Sequence, residues 1–191
     1  MKKRILLFAL TCSAAAAFSQ TTWTIDNAHS KIGFIITHMA ISEVEGKFND
    51  FNGTLISKND SFDGAEVTFS AKTGTVDTDN ERRDGHLKSP DFFDAEKYPE
   101  ITFKGNLVKS GTGYKLKGNL IMHGVTKPVE LDVTGGNTVN TGRGIKSGFK
   151  INGTINRKDF GLTWSNATPT GELVVSDQVV LNLKIELDKK A

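Results

Sequence analysis

Arg83 and His86 stand three residues apart in a charged stretch, residues 77–98, that lacks the alternation found in most of the chain. On a helix that spacing puts both side chains on one face. An arginine so placed forms a paired hydrogen bond to a pyrophosphate, and more modestly bonds a carboxyl or quinone oxygen. The competing role is structural, with Arg83 and Asp84 pairing only with neighbours to fix the segment in place. For Asp84 the structural role is favoured; for Arg83 both stand. Arg157 and Asp159 pose the same question near the C-terminus, and there a clamp on the final hairpin is favoured. Of the four histidines, His29, His38, His86 and His123, no two are spaced as metal ligands. No metal site is expected. His29 and His123 are read as bonding turn backbone groups, and His38 and His86 as lying near an opening. The chain has no nucleophile elbow, phosphate loop, dinucleotide fingerprint or HExxH zinc motif. No cofactor is expected.

The elements that must position these groups are strands. In Val179–Leu187 the odd positions are apolar while Asn182, Lys184 and Glu186 point away. Val129, Leu131 and Val133 alternate with Glu130 and Asp132, and Val67, Phe69 and Ala71 with Thr68 and Ser70. A period of two over many runs describes an antiparallel sheet with one dry and one wet face. Strands are drawn near 22–26, 31–38, 46–57, 64–73, 99–109, 113–122, 127–136, 143–156, 171–176 and 178–188. Asp63-Gly64, Ser110-Gly111-Thr112-Gly113, His123-Gly124 and Gly135-Gly136-Asn137 separate alternating runs as short hairpins require. With little helical sequence to cover the dry face, the sheet must pack on itself or close, and short hairpins favour an up-and-down meander.

Such a bore is filled by its own side chains or holds one slender ligand. Phe34, Ile36, Phe48, Val67, Phe69, Phe103, Leu116, Leu120, Met122, Phe149 and Ile151 are the inward candidates. Gly105, Gly118 and Gly153 lie in phase with them, and an inward glycine either bends a strand or leaves room. Room for a ligand is the working reading. In the aperiodic stretch, Asp79 or Asn80 caps a helix through about Leu87, and Ser89-Pro90 opens a second short turn. Phe92-Phe93 then serves as part of a lid or as a plug in the core.

Met1-Lys2-Lys3-Arg4, the apolar run Ile5–Leu10 and the small residues ending at Ala17-Phe18-Ser19 read as a secretory signal peptide, residues 1–19, with one domain over 20–191. Lipoprotein processing at Cys12 is the alternative. Removing three basic residues with the leader leaves 21 Lys and Arg against 22 Asp and Glu. That near neutrality argues against nucleic acid as a partner. The mature chain has no cysteine, so its stability must come from its core. A periplasmic protein is expected, with secretion as the alternative.

Trp23-Thr24-Ile25-Asp26-Asn27-Ala28-His29-Ser30, Arg83-Asp84-Gly85-His86-Leu87, Asp91-Phe92-Phe93, Tyr98-Pro99-Glu100-Ile101-Thr102-Phe103, Leu120–Val129 and Arg157-Lys158-Asp159-Phe160-Gly161-Leu162 occur in an order that resembles the YceI-like family of polyisoprenoid-binding proteins. The resemblance covers essentially the whole mature chain. It implies an all-β, extended eight-stranded antiparallel lipocalin-like barrel, with a short helical insertion near residues 79–95 and an apolar tunnel for an isoprenoid or other long-chain amphiphile. On that reading Phe34, Ile36, Phe48, Phe69, Phe92, Phe93, Phe103, Leu116, Gly118, Leu120, Met122, Phe149 and Ile151 line the tunnel, and His38, Arg83 and His86 form its polar mouth. The partner is a lipid (polyisoprenoid, quinone or fatty amide), with transient membrane contact, and paired barrels if a sheet edge stays open. The alternatives are a barrel enzyme using His, Arg and Asp for proton transfer on a bound lipid, and a structural surface domain with a filled core. Because the strand runs exceed eight, 22–26 and 171–176 are expected to be extensions or pieces of longer strands.

Overall fold

The computed structural model describes residues 20–58 and 61–190; the expected signal peptide lies outside the described residues. The strands are β1 (Thr21–Ile25), β2 (Lys31–His38), β3 (Ser42–Phe48), β4 (Phe51–Ser57), β5 (Glu66–Lys72), β6 (Val76–Asp77), β7 (Glu100–Ser110), β8 (Gly113–Met122), β9 (Val125–Asn140), β10 (Ile145–Asn156) and β11 (Val175–Lys189), with helix α1 (Glu81–Lys88) between β6 and β7. No helix among these residues is long and apolar enough to cross a membrane.

These segments occupy eight wall positions. The long β11 pairs with β2 through residues 175–184 and with β1 through 187–189, so β1 and β2 are two lengths of one position. In the same way β3 pairs with β2 and β4 with β1, while β6 continues β5 along β3. From β4 the order runs β5, β7, β8, β9, β10 and β11, each antiparallel to its neighbour, and β11 against β1 closes the ring. The result is the up-and-down meander that the short hairpins favour, closed into the eight-stranded lipocalin-like barrel that the family resemblance implies. As expected, the 22–26 run is part of a longer strand.

Some boundaries differ. The run at 46–57 is interrupted by Asn49 and Asp50, whose backbone groups bond Thr75 and Lys72 instead of continuing the ladder. Of 171–176 only Val175 and Ser176 join β11, because Thr168–Glu172 folds into a turn with Gly171 at φ 98°. Strand β9 runs on to Asn140: Gly135 and Gly136, at φ 107° and 91°, absorb a bulge opposite Gly148 and Phe149, so the strand bends and does not stop. Asn80 caps α1, its side chain accepting from Arg83 N at 3.0 Å. Ser89-Pro90 opens turn structure as expected, with Ser89 Oγ donating to His86 O and Asp91 N to Ser89 Oγ.

The end of the barrel opposite α1 is stoppered. Phe62 folds inward from the loop before β5 and packs tilted against Trp23, with ring centroids 5.3 Å apart, and edge-to-face against Phe149 at 5.0 Å. Leu55, Ala65, Leu107, Val133 and Leu187 pack around these rings. A second cluster, with Phe48, Val76, Phe93, Ile101, Met122, Phe160 and Leu162, girdles the α1 end. There β9 and β10 part after Asp132 and Asn152, and the turn Arg157–Phe160 comes back against β9. Phe160, 2% exposed, fills the wedge so made.

On the outer wall Lys146 Nζ sits among three carboxylates, at 2.6 Å from Asp26, 2.8 Å from Glu186 and 2.9 Å from Asp188. It joins β10 and β11 to the chain just beyond β1. The Lys146 hydrogen bond, and then that from His29, holds the Asp26 carboxyl well below the usual carboxylate range. A depressed carboxyl pKa stabilises the fold above its unfolded value, and that contribution is lost as pH falls toward the folded one. Lys146→Ala is therefore expected to lower the urea midpoint at pH 7. The deficit should shrink once pH drops below about 4, the ordinary range of an unfolded aspartate. A deficit independent of pH would contradict this role.

Candidate functional site

Inside the barrel the register stacks apolar side chains in layers. Phe69 opposes Phe103, which opposes Leu120; Leu181 opposes Phe34 on one side and Gly153 on the other; Ile151 lies between Val133 and Leu183. These side chains do not meet across the axis. They surround a cavity of about 390 Å³, within the range of small-molecule sites. Its lining runs from Leu55, Leu107 and Leu187 beside the aromatic stopper to His38, Val44 and Trp164 at the other end. The wall between is built of hydrocarbon side chains; Thr54 and Thr68 alternate out of phase with Leu55, Val67 and Phe69, and their hydroxyls bond each other at 2.7 Å in an exposed pair.

The structure places Phe34, Ile36, Phe48, Phe69, Phe92, Phe93, Phe103, Leu116, Leu120, Met122, Phe149 and Ile151 on this lining, and His38, Arg83 and His86 at its polar end. Gly118 does not line it. It pairs directly with Gly105, and a Cβ there would fall 2.4 Å from Lys104 O and 2.6 Å from the Phe103 ring tip. A larger side chain at 118 would collide with backbone instead of narrowing the bore. The other in-phase glycines follow suit, with Gly105 against Gly118 and the Phe103 ring and Leu131 over Gly153; Gly46, not singled out from phase, likewise lies under the Phe34 ring. These glycines seat neighbouring large side chains against the wall. The void lies further inward.

At the mouth, Arg83 donates from Nε to Thr78 Oγ1 (2.8 Å) and from Nη2 to Thr78 O (2.7 Å), while Asp84 accepts from Thr78 N at 2.9 Å. Asp84 is the structural fixture expected of it. Arg83 combines that duty with a place on the lining. His86 bonds Asp91 through Nε2 at 2.9 Å and lies edge-on to Phe92 and Trp164, at 5.0 and 5.3 Å. Just outside, Asn80, Arg82, Arg83 and His86 line a shallow open depression. Phe92 and Phe93 wall the tunnel and are also core residues, 7% and 8% exposed, so the plug and the lid readings describe the same rings.

Arg157 is a clamp, but not with Asp159. Its guanidinium, 2% exposed, bonds Ser176 O, Leu162 O, Trp164 O and, at 3.2 Å, Asp177 Oδ1. Asp177 lies across the loop on β11, beyond the reach of local sequence spacing. The histidine assignments also change in part. His29 bonds the Asp26 carboxylate at 2.8 Å, which raises its pKa, and His123 packs edge-on against Tyr98 at 4.5 Å; neither serves the turn backbone assigned to it. Asp26, His29 and Glu186 are the one group of three possible metal ligands among the described residues, and Lys146 Nζ occupies the position between the carboxylates.

Trp164, Val44, Thr78 and Val174 belong to the site and were not selected from sequence. Trp164 stands in the irregular 161–174 segment, where only a lone large aromatic among small polar residues marks it.

A closed antiparallel barrel with a hydrocarbon tunnel, shut at one end and polar at the other, defines a lipocalin-like barrel. Residues 23–187 match the model of the YceI-like domain. The UPF0312 protein of Pectobacterium atrosepticum is 38% identical over 158 residues, which span 81% of each chain. A mutant YceI protein from Campylobacter jejuni is 35% identical with a TM-score of 0.71, over 87% of this chain and 96% of that one. A polyisoprenoid-binding domain from Saccharophagus degradans has the same fold, with a TM-score of 0.62 at 15% identity over 88% and 98% of the two chains. This chain belongs to the YceI-like family.

Proposed function

We propose that this protein is an exported carrier that encloses one long-chain isoprenoid-type lipid in the barrel. The observation that carries the reading is the cavity of about 390 Å³, with a hydrocarbon wall and polar groups gathered at one end. Burial of each methylene contributes about 0.8 kcal/mol, so a prenyl chain needs no polar contact along the bore. Its head group lies at His38, Arg83 and His86, facing the depression that Arg82 borders. The polyisoprenoid-binding domain of Saccharophagus degradans, which shares this fold, supports the same ligand class. The arrangement favours a binder over an enzyme: Arg83, Asp84 and Thr78 bond one another, and Arg157 is consumed by backbone carbonyls. A barrel that hides its cargo from water suits passage through an aqueous compartment such as the periplasm, with release at a membrane.

Displacement of a fluorescent polyene fatty acid tests this reading. Geranylgeraniol is expected to displace the probe at one site per chain, with geraniol at least roughly tenfold weaker because its chain buries far less. Absence of saturable binding by any long-chain amphiphile would overturn it.

A further inference from the structure

The hairpin joining β2 to β3 stands beside the tunnel mouth. Its tip is Met39-Ala40-Ile41, and Ile41, 85% exposed, is the most exposed large apolar side chain among the described residues. Burying such a side chain in apolar surroundings is favourable. The turn is closed by Ile41 N to His38 O at 3.1 Å, with Met39 at φ 50° and Ala40 at φ 59°. Two consecutive left-handed residues make a type I′ turn, which Asn-Gly suits and Met-Ala does not. Sparsely populated backbone persists only where its surroundings enforce it. Here Met39 N donates to Val174 O at 3.1 Å, which ties the tip to the segment carrying Leu173. Met39 is 37% and Leu173 39% exposed, so three large apolar groups share one projecting corner. The feet of this corner, His38, Val44 and Val174, line the tunnel, so apolar surface continues from the tip into the bore.

We infer that this corner is a membrane-docking tip that inserts shallowly into the interfacial layer of a lipid bilayer and sets the tunnel mouth against it. Three side chains and Ala40 fall far short of the roughly 800 Å² per partner that a stable protein interface buries. They suit shallow interfacial insertion, whose strength follows buried apolar area. The adjoining Glu43 and Glu172 are both exposed. Anionic lipid is therefore not what holds the tip, and docking is transient. The cargo side of this inference rests on the carrier reading above; the docking side does not.

The experiment uses vesicles of phosphatidylcholine and phosphatidylethanolamine. Tryptophan emission of an Ile41→Trp variant is expected to be quenched by brominated phosphatidylcholine well beyond the quenching of the parent chain. Ile41→Asp should lower flotation with the vesicles about tenfold. It should also slow uptake of the polyene probe from vesicles, while equilibrium occupancy from ethanolic dilution is unchanged. Unchanged flotation of Ile41→Asp, or no excess quenching of Ile41→Trp over the parent chain, overturns the docking tip even if the probe binds. Docking without any probe binding would uphold the tip and sink the carrier reading alone.

Discussion

Arg157→Leu is expected to cost about 3–5 kcal/mol of stability, the range for removing one member of a buried charged cluster. The guanidinium is 2% exposed and holds three carbonyls, those of Leu162, Trp164 and Ser176, along with the Asp177 carboxylate. Leucine fills part of the volume and satisfies none of them, and each buried orphan acceptor costs about 1–3 kcal/mol. For a domain of this size Tm should fall by roughly 10 °C. Arg157→Lys should recover less than half of the loss, because one ammonium cannot span acceptors on two segments as the planar fork does. Since Trp164 and Val174 border the mouth, the surviving folded fraction should also release a bound probe faster. A loss below about 1 kcal/mol in urea unfolding would show that the cluster is not what fixes this corner.

The second large effect concerns occupancy, not stability. Ile151 faces inward between Val133 and Leu183, yet it remains half-buried because it borders the void. Ile151→Trp should reduce long-chain amphiphile binding at least roughly tenfold, since the indole takes the place of several buried methylenes of the chain. In a filled core the same enlargement costs about 1–3 kcal/mol through displaced neighbours, so beside a void the unfolding free energy should shift by less than about 1 kcal/mol. The two outcomes separate a sleeve from a plug: lost binding with intact stability supports the sleeve, and lost stability with unchanged binding contradicts it.

Alternation made the wall legible. Val179–Leu187, Val129–Val133 and Val67–Ala71 show their inward sets in the sequence, and the strand aromatics of the lining, Phe34, Phe48, Phe69, Phe103 and Phe149, follow from phase, whereas Phe92 and Phe93 lie in the aperiodic stretch. Closure was legible only in part: alternating runs joined by short hairpins, with little helix beside them, leave the dry face to pack on itself or close, and it was the ordered family motifs that pointed to a closed barrel. The glycines were not. Phase told that Gly105, Gly118 and Gly153 face inward, but which neighbour leans over each depends on cross-strand register and rotamer. Phe103 over Gly118 and Leu131 over Gly153 are long-range facts of that kind. Arg157 reached past Asp159 to Asp177 for the same reason: the partners lie 20 residues apart, and the path of the loop between them leaves no periodic trace. Trp164, within that loop, could be placed at the mouth only once the clamp was known.

Native mass spectrometry of the protein purified gently from its own host tests the central claim most directly. A hollow sleeve predicts a population heavier than the bare chain by one lipid. Dissociation should release a long-chain isoprenoid-type species, and Ile151→Trp should remove that population. Bare chain alone from both proteins would contradict the account and leave the barrel as a scaffold.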